Sequence, residues 1–492
     1  MTLPPLIPSP EQQAVIWRAA YEPTCANLDT SSTGAGKTCT SVEIAKLRGV
    51  QTMLVIGPKG TRTGWQVTAE RQGLDLPFRW INNTTKEGKL AYEQLKADEP
   101  GIYFVGTELF ASMGWDRVET REIDKKTGKP KKKNVRNKVW SSVYPDMVVV
   151  DESHRAANRR SKTFRTLQMD TGRNNLRAKY KRAMSATYEG NSFEGAYALP
   201  KWLWPDIVDT SFTLWKGRWA KTEFDPFSYS KSKVVGEKNP GAWLESLPCW
   251  THIEVKRGPR EDYTVKVELS EKQRAIYDAL ETDYLAWLGE NPLVIDLPVQ
   301  MRTRQRQTTL GEPIMVPTGT YDENDEEIFT VDFAKNCKSS KFDALLGIIQ
   351  SDIDEESALI FSDSFKFNQN VVIPRLRDIG YRVEAWDSSQ SDAKREETKA
   401  AFIRGEVEYI VAVIKAAGEG IDGFQQGTRN VIWLTKDDDG VKNIQADGRV
   451  HRQGQFETVR NFEILALDTR DEKQYTSLAT QEIERRKRHG KE

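Results

Sequence analysis

Short apolar runs that alternate with amphipathic stretches of helical length constrain this chain more than any other feature of its sequence. In the first two hundred residues such runs stand at 53–56, 102–105, 147–150 and 182–185, each ending in polar or glycine-containing segments. Short β runs separated by helical lengths predict a parallel sheet covered by helices. A second series follows at 358–361, 381–385, 409–413, 430–434 and 461–466. The predicted fold class is therefore α/β, with two parallel-sheet domains in tandem. Right-handed crossovers and ligands beyond the carboxyl ends of the strands are expected of such sheets.

Between the two series lies a stretch rich in tryptophan (Trp202, Trp204, Trp215, Trp219, Trp243, Trp250), then a helical pattern over 271–288. The expected division is a first domain at 1–205, a connecting segment at 206–265 and a second domain at 266–492. The tryptophans point to packing between domains, with base stacking as the alternative. Two segments read as β-hairpin excursions, 118–140 with a basic tip and 314–333 with the acidic tip YDENDEE; Thr127-Gly128 and Asp322 to Asp325 supply the turn chemistry.

Length and composition set the outer bounds. At about 150 residues per domain the chain has room for roughly three domains. Its 38% apolar and 29% charged residues and mean hydropathy of −0.63 predict a soluble globular protein. No apolar run approaches the roughly eighteen residues of a spanning helix, and the start MTLPPLIPSP has no basic region ahead of an apolar stretch. A cytoplasmic protein without membrane contact is expected. Cys25, Cys39, Cys249 and Cys337 are dispersed, as are His154, His252, His451 and His489, which argues against a disulfide framework or a zinc site. Lys plus Arg and Asp plus Glu both total 72, so nucleic acid would have to use local patches, of which 124–138 and the tail ERRKRHGKE are the visible ones. For 124–138 a solvated loop and a duplex-gripping or strand-splitting element both remain open.

Thr33, Gly34, Ala35, Gly36, Lys37 and Thr38 follow a short segment at 26–29 and precede a helix-compatible stretch at 41–47. Gly34 and Gly36 permit the dihedrals that let backbone N–H groups close around phosphate oxygens. Lys37 would sit against β and γ phosphates and the Thr38 hydroxyl would ligate Mg²⁺. Ser31 occupies the place of the first glycine of the strict pattern. The run at 147–150 delivers Asp151, Glu152, Ser153 and His154 to a strand's carboxyl end. Asp151 can hold the Mg²⁺ shell while Glu152 orients or deprotonates the attacking water. Ser153 and His154 would face the end of the next strand at Ser185-Ala186-Thr187. In the second half, Gln445 to Gln455 reads QADGRVHRQGQ; Arg449 and Arg452 would share a face if helical, suiting phosphate capture. A glycine-containing loop, 415–422, follows the run at 409–413.

Together these segments resemble superfamily-two helicases and translocases, most closely the Swi/Snf-like branch, over nearly the whole chain. Pro10-Glu11-Gln12-Gln13 resembles the glutamine motif, with Gln12 as the implied adenine reader and Gln13 as the alternative. Residues 31–38 resemble motif I, 57–65 motif Ia, 106–108 motif Ib, DESH motif II and MSATYEGN motif III. In the second domain 339–349 resembles the leading helix, 359–365 motif IV, 416–422 motif V with Gly420 at the nucleotide, and QADGRVHRQGQ motif VI. The resemblance implies two RecA-like domains, ATP with Mg²⁺, arginine fingers at Arg449 and Arg452, and Gln445 bordering the nucleotide cleft. Its implied partner is DNA, single-stranded, duplex or forked, with RNA as the alternative and with replication, recombination or repair proteins as companions. DESH in place of DEGH, SATY in place of TGTP and GID in place of GLN mark a divergent, compact member of bacterial or phage type. An unwinding helicase, a duplex translocase, an ATP-gated binding module and a motor subunit of a restriction or junction-processing complex all fit these motifs.

Overall fold

Two all-parallel sheets organise the chain in its computed structural model, which describes residues 4–123, 130–137, 139–168, 176–225, 231–288, 291–294, 298–321, 325, 327–417, 423–452 and 454–488. The first has seven strands in the order Trp250–Thr251, Ala26–Asp29, Tyr180–Met184, Met147–Asp151, Thr52–Gly57, Gly101–Gly106, Phe78–Ile81. Its four predicted runs are strands, shifted by no more than two residues. Phe78–Ile81 and Trp250–Thr251, the two edges, escaped the periodicity because they are short and only partly buried.

The second sheet has six strands in the order Arg260–Val267, Val459–Ala466, Asn430–Trp433, Ala358–Ser362, Tyr409–Val413, Val383–Trp386. All of its pairs are parallel. The α/β tandem of parallel-sheet, RecA-like domains with hairpin insertions is thus the fold of the chain.

Alternation explains why the strand sequences are apolar throughout. Leu54, Ile56, Val148 and Val150 enter the core on one face of the first sheet, and Met53, Val55, Met147 and Val149 enter the core on the other. The second sheet repeats this with Ile360, Val411 and Ile432 against Leu359, Ile410 and Val431. Helices cover both faces, so these positions of the central strands are dry on either side. Each such side chain contributes about 1.5–3 kcal/mol by burial.

The chain divides into two compact units, residues 1–255 with 484–492, and residues 256–483. The expected connecting segment at 206–265 is therefore mostly part of the first unit. Trp202, Trp204, Trp215 and Trp243 lie inside that unit's core, and Trp219 and Trp250 pack against it. Packing is their role, but within one unit rather than between two. Exposure of 3% or less leaves the first four no ring face for a base.

Both hairpins form, Trp115–Ile123 with Pro130–Arg136 and Pro313–Tyr321 with Glu327–Phe333. The basic stretch 124–129 and the acidic residues 322–324 and 326 lie outside the described residues. The helical pattern at 271–288 holds only as far as Asp283. Tyr284 turns left-handed there (φ 57°), and Leu285–Leu288 pairs with Asn291–Val294 as a short hairpin instead. Among the described residues no helix is long and apolar enough to cross a membrane.

Candidate active site

The strand Ala26–Asp29 runs into a loop and then into the helix Lys37–Leu47. Gly34 (φ 84°) and Gly36 (φ 75°) are both left-handed, a conformation that side chains disfavour. A Cβ on Gly36 would also stand 2.3 Å from Gln12 Nε2, so the end of that side chain would have to move aside. No side chain caps the helix that follows, so its first amide donors are left for an anion. Lys37 Nζ lies over the loop, donating to Ser31 O (2.9 Å) and Ser32 O (3.0 Å). Thr33 and Thr38 are half-buried in the loop and at the second helical position.

Ser31 has a structural reason to replace glycine. The loop's entry limb is laced to the end of the first unit's chain: Leu28, Thr30 and Ser32 N–H donate to Cys249, Thr251 and Ile253 O at 2.9–3.0 Å. The Ser31 hydroxyl completes the ladder by accepting from Ile253 N–H (2.9 Å). Side chains reinforce it, with Ser32 Oγ 3.1 Å from Glu254 Oε2, His252 Nε2 3.1 Å from the same oxygen, and His252 Nδ1 2.9 Å from Thr30 O.

Below the loop sits Arg182, fully buried. It pairs with Asp29, bonds Asn27, and donates to Thr40 Oγ1 (3.0 Å) and Ser41 Oγ (2.9 Å) on the loop's helix. Asp29 Oδ1 in turn accepts from Ser31 N–H (2.9 Å). Sequence reading missed this hub and the 250–254 lacing. The only available signals were an arginine inside an apolar run and a carboxylate ending the strand before the loop.

Asp151 ends its strand one neighbour away from Tyr180–Met184, which itself flanks the loop's strand. Trp65 Nε1 donates to Asp151 Oδ2 (2.9 Å) and Glu152 N–H donates to Oδ1 (2.9 Å). Burial, with the charge of Glu152 beside it, pushes the Asp151 carboxyl up to about 6; the Trp65 bond and the charge of Lys37 act the other way. Trp65, in the segment resembling motif Ia, is a second residue whose role the sequence did not disclose. Glu152 is left-handed (φ 46°), a strained backbone state for a residue with a side chain, costing roughly 1–3 kcal/mol. His154 Nδ1 stands 3.2 Å from Glu152 Oε2 and 3.0 Å from Ser185 Oγ. The expected link from the acidic box to the next strand's end therefore runs through His154. Ser153 does not share it, because its buried hydroxyl has no hydrogen-bond partner among the described residues.

Gln12 lies in the helix Pro10–Ala20 and touches the loop, donating from Nε2 to Ala35 O (2.9 Å) while Oε1 accepts from Ser9 N–H (2.8 Å). Gln13 instead bonds Pro8 O.

In the second unit Gln445 lies on the helix Gly440–Asp447. That helix stops before the arginines, so Arg449 and Arg452 do not share a helical face. They sit half-buried in successive turns, with His451 N–H on Asp447 O (3.2 Å) and Arg452 N–H on Val450 O (3.0 Å). Neighbours in the same motif fix these turns. Asp447 pairs with Arg260 (2.6 Å), His451 Nε2 lies 2.9 Å from Gly258 O, and Gln455 Nε2 donates to Thr428 O (2.9 Å). Val450 is buried in the sheet's core. Gly420 falls outside the described residues.

Residues 340–454 match the helicase conserved C-terminal domain family. Among solved structures, the Sulfolobus solfataricus SWI2/SNF2 ATPase core in complex with dsDNA is similar at 15% identity over 99% of this chain and 98% of that chain, with a TM-score of 0.38. That likeness is too low to add an argument of its own. The family match falls wholly within the second unit and takes in Gln445, Arg449 and Arg452. The second unit thus carries the match to a helicase conserved C-terminal domain, within a tandem of parallel-sheet, RecA-like domains.

Proposed function

We propose that this chain is an ATP-driven DNA motor of the Swi/Snf-like branch, a helicase or a double-stranded DNA translocase. One observation carries the reading: a glycine-shaped loop with Lys37 over it and a strained Glu152 beside a buried Asp151 occupy strand ends of one sheet. Lys37 and the first amides of its helix bind the β and γ phosphates. Thr38 and Asp151 fit a Mg²⁺ ion, since each Asp151 oxygen accepts one hydrogen bond and keeps further lone-pair capacity in a site where its charge is poorly solvated. When bound, that ion supplies charge neutralisation at the phosphate oxygens.

Glu152 orients the attacking water and takes its proton, and His154 ties Glu152 to Ser185 on the neighbouring strand end. Gln12 and Gln445 border the nucleotide, as does Gly420 by resemblance. Arg449 and Arg452 from the second unit stabilise charge on the transferring phosphoryl group. Loss of the γ-phosphate removes a bridge between the units, and DNA carried by backbone contacts is passed along as they part.

Steady-state ATP turnover against single-stranded, duplex and forked DNA and RNA tests the proposal. Duplex or forked DNA should accelerate turnover, and less so as salt rises. Turnover indifferent to every nucleic acid would refute the motor. A strand-displacement assay beside a triplex-displacement assay then separates unwinding from duplex translocation.

A further inference from the structure

The first hairpin has no place in the phosphate-loop chemistry or in either sheet. Trp115–Ile123 and Pro130–Arg136 form a separate two-stranded ribbon whose second strand is exposed from Pro130 to Val135. Between 115 and 138 the sequence holds ten Lys or Arg and four Asp or Glu, in a chain whose two totals are equal at 72. Such an excess raises self-repulsion on an element that covers no core, so folding does not account for it.

Within the ribbon the acids offset only part of it. Lys131 meets Glu122 (3.3 Å) and Lys132 meets Glu119 (3.7 Å), both exposed, while Asp116 accepts from Asn137 Nδ2 (3.0 Å). Among the described residues Arg117 and Lys133 have no ion-pair partner, and register places them one step apart on opposite faces. Both faces thus carry a cation.

The base of the ribbon is built rather than loose. Trp115 Nε1 donates to Thr166 Oγ1 (3.0 Å). The guanidiniums of Arg136 and Arg165 stack on the Trp115 ring, 5.2 and 4.9 Å from its centroid. Asn137 Nδ2 holds Met113 O (2.8 Å), and a Cβ on Gly114 would meet Thr166 Cγ2 at 2.7 Å. The first leg is therefore fixed to the helix Lys162–Leu167, and the second, through Asn137, to the helix Thr107–Met113, which leaves the carboxyl end of the strand Gly101–Gly106.

We infer that this ribbon is a duplex-DNA arm that enters the major groove and grips phosphates on both of its walls, an inference that rests on the motor reading above. Size and charge agree. Two strands about 4.8 Å apart with their side chains fill a groove roughly 12 Å wide. A nine-residue strand reaches about 30 Å, enough to cross it. Cations on both faces meet both phosphate walls. The major groove of A-form RNA is too narrow to admit such an arm, and a single strand has no groove.

The test compares the full chain with its K131A/K132A/K133A variant by fluorescence anisotropy on blunt duplex DNA, single-stranded DNA and duplex RNA across a salt series. The variant should bind duplex DNA more weakly, with a log–log salt slope shallower by about one unit for each lysine that meets a phosphate. Binding to the other two probes and DNA-free ATP turnover should stay at the level of the unmodified chain. The K131R/K132R/K133R variant should restore the slope. An unchanged duplex affinity and slope would overturn the inference, as would equal losses on single-stranded DNA or duplex RNA. Failure of the motor reading shows separately, as absent DNA stimulation of ATP turnover in the unmodified chain.

Discussion

The phosphate loop of the first unit and the arginine turn of the second are held in place by different means. The loop is fixed from beneath and behind, by the buried Asp29–Arg182 pair and by a backbone ladder to 249–253. The turn is fixed from within its own motif, by Asp447, His451 and Gln455 reaching to Arg260, Gly258 and Thr428. In the first case the motif is nearly all proposed chemistry and its support lies elsewhere. In the second, Asp447, His451 and Gln455 are support, and the proposed chemistry falls to Gln445, Arg449 and Arg452.

The strongest way to break this comparison is to remove one cation from each side. Lys37→Ala should abolish both ATP binding and turnover, whereas Arg449→Ala should keep binding of a fluorescent ATP analogue and lower turnover about 10³-fold or more. Equal loss of binding in both variants would erase the distinction.

Stability separates the two supports next. Arg182→Met leaves Asp29 buried and unpaired, so urea unfolding should show a loss of about 3–5 kcal/mol, partly recovered by adding Asp29→Asn. Arg260→Met, which frees a half-buried Asp447, should cost less, about 1.5–3 kcal/mol. His451→Ala removes one bond to a backbone carbonyl, worth about 1 kcal/mol, and should lower kcat tenfold or less with KM little changed. A drop as large as that of Arg449→Ala would make His451 more than a support.

The smallest effect is a pH dependence in the second unit. Glu356 bonds Arg429 and Asn430 beside the charge of Arg460, which holds its carboxyl down to about 2 against an ordinary 4.5. Its stabilisation is complete above pH 4.5 and is lost as pH falls toward 2. The side chain is 40% exposed, so Glu356→Gln should cost under about 1 kcal/mol at pH 7. The gap between variant and unmodified chain should close near pH 2. A gap that persisted there would show that the charge is not its cause.

Much of the fold is legible in the order of the residues alone. Uninterrupted apolar runs at 53–56, 147–150 and 409–413 are strands because both faces of each sheet are covered. Gly34, Gly36 and Lys37 stand out because a left-handed loop before a helix leaves few residue choices. The tryptophans read as packing between domains but pack within one, since composition does not say which surface an aromatic covers. A helix continued from Gln445 would put Arg449 and Arg452 on one face, but Val450 is drawn into the core and the chain turns there.

What the sequence by itself determined is what contiguous residues decide: strand periodicity, glycine dihedrals and the delivery of an acidic pair to a strand's end. Only the tertiary structure decided which polar groups meet. Trp65 finds Asp151 86 residues away, Arg182 finds Asp29 across 153, and Ser31 finds Ile253 across 222. Those pairings follow from strand order, in which Tyr180–Met184 lies between Ala26–Asp29 and Met147–Asp151. Strand order is settled by how whole faces bury against one another, and no local window of sequence carries that.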